Sequence, residues 1–466
     1  MLLSKVLSHI SLEPVMFLYF TTLALNVLSS QNLLLQKVCL GGTVAPPAGA
    51  GKCPDELGAQ KEVTFIQTWR DLIVLVGPVV FVMFAGPWSD NHGRRRKPLL
   101  YLPIIGQIIA DLLCALNVFF WSWSPAIAAL SSSVPPALTG WRSCFQIGVA
   151  TLVCDHTPEK FRLVKVGVCF ATYFLASPFG AFVFGLIFHK VGYYGIYCLG
   201  VTMNLTAIVY LYLLIPENPI EGQVKLKVWE KLFDPSQVVQ CFKTVLKPRD
   251  GYNRAILLLL IAVAPLTMAP LQGELAVLYF FLRYKFHWDA VDFGYYEAYK
   301  LIIIFFGTCL TLGVFSHMFG LSDATIGAMS MVTLIITATA NAFAAYPWEL
   351  FVFPIIDFMH GAGLAVVYSI ISKIVDSSES GQANSMVGIA EALYPLINMP
   401  LYNQFYNYTF EYLPGAFFLL SVLYGILSFL IYFAIFILQK KTKQMEEEVH
   451  PDKNNPTKYC KTYDAS

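Results

Sequence analysis

What this sequence has little of already narrows it. Charged residues fill only 13% of its 466 positions, and the net charge is +1. A soluble domain carries about 25% charged residues, so this chain cannot clothe a water-facing surface. Its basic residues fall in short clusters, which excludes a nucleic-acid face and leaves no nucleic-acid partner. There is no C-x-x-C, H-E-x-x-H or G-x-x-x-x-G-K-[ST] run, so the sequence offers no metal site, no cofactor site and no nucleotide-driven motor. A nucleophile–base constellation of the kind an enzyme needs is missing too. What it has instead is 56% hydrophobic residues and a mean hydropathy of +0.60. That composition excludes disorder and small disulfide scaffolds. The chain is an integral membrane protein, with the lipid bilayer as its first partner.

Twelve apolar stretches approach the roughly 20 residues that a spanning helix needs. They cover 14–36, 70–88, 98–121, 125–153, 164–189, 193–215, 255–282, 293–315, 321–345, 348–372, 384–405 and 414–438. The first is too long for a signal-peptide core and lacks a basic flank, so it counts as span 1. With both termini in the cytosol, 22 of the 31 lysines and arginines fall on the inner side and seven on the outer side. Arg142 and Lys300 lie within spans. That asymmetry predicts N-in, C-in.

The longest polar break, 216–254, divides the spans six and six. Gly86, Asp90 and Gly93 follow span 2, and Gly313, His317 and Gly320 repeat their spacing after span 8. Asp155 and Glu159 follow span 4 as Asp376 and Glu379 follow span 10. These echoes predict an all-α integral membrane fold of twelve transmembrane helices in two pseudo-symmetric six-helix bundles. The expected units are an N-terminal bundle 1–215, a cytoplasmic linker 216–254, a C-terminal bundle 255–438 and a disordered cytoplasmic tail 439–466.

The most specific run is Gly86-Pro-Trp-Ser-Asp90-Asn-His-Gly93-Arg94-Arg95-Arg96-Lys97. Gly86 permits close helix contact and Gly93 a tight turn. Asp90 can pair with an arginine or face the positive N-terminus of a neighbouring helix. The whole pattern resembles the loop 2–3 motif of the major facilitator superfamily. By that resemblance Asp90 and Arg94, with Arg95, latch the inner ends of the two halves. Ile371-Ser372-Lys373-Ile374-Val375 followed by Ser378-Glu379-Ser380-Gly381 is similar to a loop of the proton-coupled folate transporter and thymic stromal cotransporter family, solute carrier family 46. Glu13-Pro14, Ser30-Gln31, Asp155 with Phe161-Arg162, Gly294-Tyr295 and Asn403 with Tyr406 extend the likeness. The gating residues it implies are Gly86, Asp90, Gly93, Arg94, Arg95, Asp155, Arg162, Lys373 and Glu379. In the folate transporter, coupling is associated with a glutamate, a histidine and an arginine. Gly167, Pro270 and Tyr368 stand at those places here, and none relays a proton near neutral pH.

A charge at the bilayer centre costs about 3 kcal/mol or more and needs a reason. Asp111, Arg142, Glu274, Glu297, Lys300, Asp357, His360 and Glu391 are the candidates. Arg142 either holds an anionic solute group or pairs with Asp111. Glu297 and Lys300 share a helical face, as do Asp357 and His360. Glu297 and Lys300 either bind solute or neutralise each other, and Glu274 is either functional or merely solvated. Tyr295 and Tyr299 flank these charges as candidate cavity residues. The expected substrate set is therefore Arg142, Glu297, Lys300, Asp357, Glu391, Tyr295 and Tyr299. Pro178 and Pro395, counterparts in the two halves, mark candidate gating helices.

Cys39 and Cys53 share an outer segment, and a disulfide is expected between them. Asn407-Tyr408-Thr409 is a glycosylation sequon close to the membrane. The tail shows no dileucine or tyrosine-based sorting signal, which favours the plasma membrane over the lysosome. These features read as a monomeric secondary transporter of a small organic solute, expected to be anionic, by alternating access. Folate- or pterin-like compounds and peptidoglycan fragments are the candidate solutes, and the co-transported ion, a proton among the candidates, stays open. The rival reading is a receptor or scaffold that keeps the fold and carries nothing.

Overall fold

A computed structural model of the chain describes residues 11–40, 56–216, 235–288 and 290–449. Among them, every regular element is helical. The first eight helices are α1 Glu13–Leu40, α2 Glu56–Asn91, α3 Pro98–Phe119, α4 Pro125–Leu138, α5 Trp141–His156, α6 Glu159–Leu214, α7 Pro235–Leu246 and α8 Asn253–Phe286. Then come α9 Ala290–Leu310, continued by a π-helical segment Thr311–Met318, α10 Asp323–Phe343, α11 Glu349–Ile356, α12 Ala362–Ile374, α13 Ser380–Thr409 and α14 Phe418–Val449.

All twelve apolar stretches fall on helix, with instructive interruptions. The fourth breaks after Pro135-Pro136, where Gly140 takes φ 82° and α5 restarts. A side chain at Gly140 would sit 2.5 Å from the Phe81 ring, so only glycine fits. The fifth and sixth run together as α6, but Gly192 (φ 63°) is non-helical and separates them. The tenth breaks between Ile356 and Ala362, just after Pro354 removes a helical donor. Among the described residues, eight helical segments are by themselves long and apolar enough to cross a bilayer. The other four stretches are the two broken ones and the polar-studded α1 and α13.

Large apolar side chains such as Phe182, Leu213, Ile397 and Leu430 stand on the outside. An apolar exterior of this extent belongs in lipid. Inside, α1 packs on α6, α8 on α13 and α14, and α10 on α14. Contact between the first and second halves of the sequence runs chiefly through α2–α13 and α6–α9, while α7 lies against both α2 and α13. Gly93 (φ 74°) turns the chain after α2, and Gly320 (φ 62°) does so after the π-helical segment.

Candidate functional site

Two arrangements join the halves: a latch at the end of the molecule that carries Asp90, and a central cavity above it. At the latch the backbones of α2 and α13 touch. A Cβ on Gly86 would stand 2.3 Å from the Gly381 carbonyl oxygen, and one on Gly381 would stand 2.7 Å from that of Gly86. This contact brings Asp90 onto the first turn of α13. Its Oδ1 accepts from the Gly381 N–H (3.1 Å) and its Oδ2 from the Gln382 N–H (2.9 Å). Glu379, at the N-cap, makes no such bond with its own side chain, so Asp90 caps α13 in its place.

The guanidinium on Asp90 is that of Arg96, at 2.6 Å, and not the expected Arg94. The left-handed turn at Gly93 and Arg94 (φ 74° and 60°) reverses the chain and aims Arg96 back at α2. Arg96 is 1% exposed and also donates to Asp155 Oδ2 (3.0 Å), Ser89 Oγ (3.0 Å) and the Ser377 carbonyl (3.0 Å). Arg94 has a buried Nε without a partner among the described residues, and Arg95 offers its carbonyl to Ser89 Oγ. Arg162 donates across the interface to the Ser372 carbonyl at 2.6 Å. Glu379 accepts from Lys247 Nζ (2.7 Å) and Arg249 Nη2 (2.9 Å). Burial pushes the Glu379 carboxyl up, but the hydrogen bonds from Lys247 and Arg249 outweigh it and hold it below its usual value. Lys373 pairs locally with Asp323 at 2.7 Å, so it does not bridge the halves.

The cavity above this latch has a volume of about 450 Å³. Arg142, Glu297 and Glu391 line it, with Asn26, Gln107 and Phe170. The Gly140 break sets Arg142 in the first turn of α5, so Trp141, Arg142 and Ser143 all face the cavity. First-turn N–H groups lack partners within their own helix and favour anions. Arg142 lies over the Trp141 ring, 5.3 Å from its centroid, and has no ion-pair partner among the described residues. The alternative partner, Asp111, is bonded to Asn26 and Gln107 instead. Glu297 Oε2 and Glu391 Oε1 are buried oxygens without a hydrogen-bond partner among the described residues. Below them the floor is tight: Phe170 and Tyr368 meet ring to ring at 5.2 Å, and Gly167 abuts Leu312 and Ala365.

The expected substrate set is thus only partly brought together. Lys300 and Asp357 line a separate void of about 20 Å³ with Glu274, Tyr296, Thr337 and Asn341. Lys300 makes its ion-pair contact with Glu274 at 3.7 Å, Glu297 acting on it only electrostatically, and His360 Nδ1 lies 3.0 Å from Asp357. Glu274 is buried and accepts from Ser421 Oγ at 2.6 Å, so it is not a solvated surface acid. Tyr295 is 72% exposed on the outer face, and the Tyr299 hydroxyl donates to the Phe351 carbonyl at 2.7 Å. The reason is helical phase in α9. Residues four apart share a face, so Tyr295 goes with Tyr299, Tyr296 with Lys300, and Glu297 with Leu301. Only the last pair reaches the large cavity.

Cys39 is disulfide-bonded, while Cys53 lies outside the described residues. Asn407 is exposed in the last turn of α13. The residues that sequence reasoning passed over include the charged pair Arg70–Asp71 (3.3 Å) and the uncharged amides Asn26, Gln107, Gln146 and Gln272, all on the cavity wall. An amide inside an apolar span was the signal that could have found the amides.

The family model of the Major Facilitator Superfamily matches residues 55–397. The chain is 24% identical to the Drosophila melanogaster protein named "Probable peptidoglycan muropeptide transporter SLC46", over 75% of this chain and 69% of that one. It is 24% identical to the Gallus gallus lysosomal proton-coupled steroid conjugate and bile acid symporter SLC46A3, over 88% of this chain and 90% of the relative. The Rattus norvegicus proton-coupled folate transporter is also 24% identical, over 84% and 83%. Among solved structures, the human organic anion transporter MFSD10 (TETRAN) superposes with a TM-score of 0.69 at 14% identity, covering 90% of this chain and 97% of that one. The E. coli fucose:proton symporter FucP does so with a TM-score of 0.66 at 11% identity, covering 91% and 97%. At these identities the two structures share the fold alone.

Proposed function

The chain belongs to the Major Facilitator Superfamily and is a multi-pass secondary transporter, and from that premise we propose that it carries a small organic anion through the cavity lined by Arg142. The observation that carries this reading is Arg142 itself. It is a cation at the start of a broken helix, facing a void, with no carboxylate in ion-pair contact among the described residues, although Glu391 across the cavity acts on it electrostatically. An acidic group of the solute completes that pair. The relatives handle muropeptides, steroid conjugates and bile acids, or folates by their names. Those classes share an acidic group on a body of drug-like size, which a cavity of about 450 Å³ accommodates.

Residues 1–215 and 255–438 act as the two rocking bundles, joined by 216–254. The Asp90 end is the cytoplasmic end, and the latch of Gly86, Asp90, Gly93, Arg96, Asp155, Arg162 and Glu379 holds it shut. The conformation described above is therefore open to solute from the opposite side. Glu297 and Glu391 each present an oxygen that takes a donor, either a co-transported proton or an N–H or O–H of the solute. The chain works as a monomer in the plasma membrane, with both termini in the cytosol.

The test is uptake by cells expressing the protein, at pH 5.5 and 7.4, of labelled bile acids, steroid sulfates, folates and muramyl peptides beside a cationic control. Arg142→Ala should raise KM for the anion by about tenfold or more, the loss of ~1.4 kcal/mol or more of binding, and Arg142→Lys should recover part of it. Saturable uptake of a cation, untouched by Arg142→Ala at equal surface expression, would overturn the reading.

A further inference from the structure

Asp111 lies behind the wall of the central cavity, 2% exposed, and solute transport as described above gives it no task. Its Oδ1 accepts two side-chain hydrogen bonds, from Asn26 Nδ2 at 2.6 Å and from Gln107 Nε2 at 3.1 Å. Asn26 and Gln107 line the cavity, whereas Asp111 does not. The carboxyl is held in place from behind: a Cβ on Gly200 would stand 2.8 Å from Oδ2, which is buried without a partner among the described residues. Tyr197 and Cys114 lie close enough to act on it electrostatically, and no cation is in ion-pair contact with it among the described residues.

A carboxamide has one donor end and one acceptor end. With both NH2 groups drawn to a single carboxyl oxygen, both carbonyls are turned away from it. This holds whether or not Oδ2 carries a proton, because the two N–H groups converge on Oδ1. We propose that Asp111 is a positioning residue that fixes the polarity of this wall. It makes α1 and α3 present amide carbonyls, so the part of the solute that meets them carries hydroxyl or N–H donors. The inference rests on the anion-carrier reading and narrows it to an anion bearing such donors away from its acidic group. An analogue with ketones in place of hydroxyls meets acceptors with acceptors and is rejected.

Matched probes test this: taurocholate, and the same molecule with its three hydroxyls oxidised to ketones. Where a different anion of the panel is the one carried, the pair is that anion and its keto or N-methylated counterpart. A site built to bond a hydroxyl rejects the analogue lacking it strongly, so wild-type kcat/KM should favour the donor-bearing probe by about tenfold or more. Asp111→Asn replaces one acceptor by a donor and lets a neighbouring amide turn, and the preference should shrink to about threefold or less with surface expression unchanged. Gln107→Met removes one acceptor while keeping the Asp111–Asn26 bond. It should also narrow the preference, and it decides the matter if Asp111→Asn fails to reach the surface. A merely structural Asp111 would alter expression and leave the ratio alone. Saturable uptake with equal preference for the two probes, or a ratio that survives both substitutions, overturns the proposal and spares the anion carrier. Uptake of no anion in the panel overturns the anion carrier itself, and this proposal with it.

Discussion

Replacing Asp90 by asparagine should shift the protein toward the state that is open at the latch. In the closed form the carboxylate takes three bonds: one from Arg96 and two from the first turn of α13. Asparagine keeps one acceptor, turns an N–H toward an N–H of α13, and removes the charge. Hydrogen bonds to charged groups contribute about 1.5–3 kcal/mol each, against about 1 for neutral ones. Arg96 stays 3.0 Å from Asp155, so it is not left wholly unpaired and the full penalty of a stranded buried charge is not reached. The Asp90–Arg96 pair lies within one half and persists on opening, so of the bonds that Asp90 makes only those to α13 discriminate between the states. Their weakening amounts to about 2 kcal/mol, or about thirtyfold in the closed-to-open ratio. Spin labels at the exposed positions Lys160 and Asp376, one in each half, report this directly by pulsed dipolar spectroscopy. Wild type should give one short distance, and Asp90→Asn should add a longer population and lower uptake. A distance distribution identical to wild type, in folded protein, would refute the reasoning.

Gly86→Ala should give the same opening by a steric route, because its Cβ would meet the Gly381 carbonyl at 2.3 Å and backbone cannot step aside; the same label pair checks it. The Glu379 carboxyl is held below its usual value by Lys247 and Arg249, so its contribution is complete above the unfolded carboxylate value and is lost only as pH falls through the lower folded one. Between pH 7 and pH 5 the label distance should therefore not respond through Glu379, whereas Glu379→Gln should loosen the latch already at pH 7. Non-reducing peptide mapping should recover Cys39 joined to Cys53, and two free thiols would contradict the pairing.

The positions of the helices were legible because lipid demands long apolar runs, and all twelve stretches fall on helix. The latch was legible in its glycines and in Asp90, whose two expected partners, an arginine and a helix N-terminus, are both present. Which arginine pairs was not, because that depends on the left-handed turn at Arg94, a conformation that a non-glycine residue does not advertise. The cavity was half legible. Charge within spans points to Arg142, Glu297 and Glu391 but leaves out Arg70 and Asp71 at the edge of span 2, and it gives α9 the wrong phase, because Tyr295, Tyr296, Glu297, Tyr299 and Lys300 are polar or aromatic on every face. Its apolar periodicity was too weak to say which side looks inward. The breaks at Gly140 and at 357–361 were hidden in runs that read as continuous, although the prolines before each were visible.

The packing of Gly167 limits how this chain can be changed. A Cβ there would press within 2.0 Å of a Leu312 methyl that is itself wholly enclosed, with Ala365 close behind. At that spot the two bundles rest on each other with nothing but hydrogen between backbone and side chain. Grafting in the acid that the folate carrier is associated with would not install a proton shuttle. It would act as a wedge, forcing apart the two halves where they touch most closely at this spot.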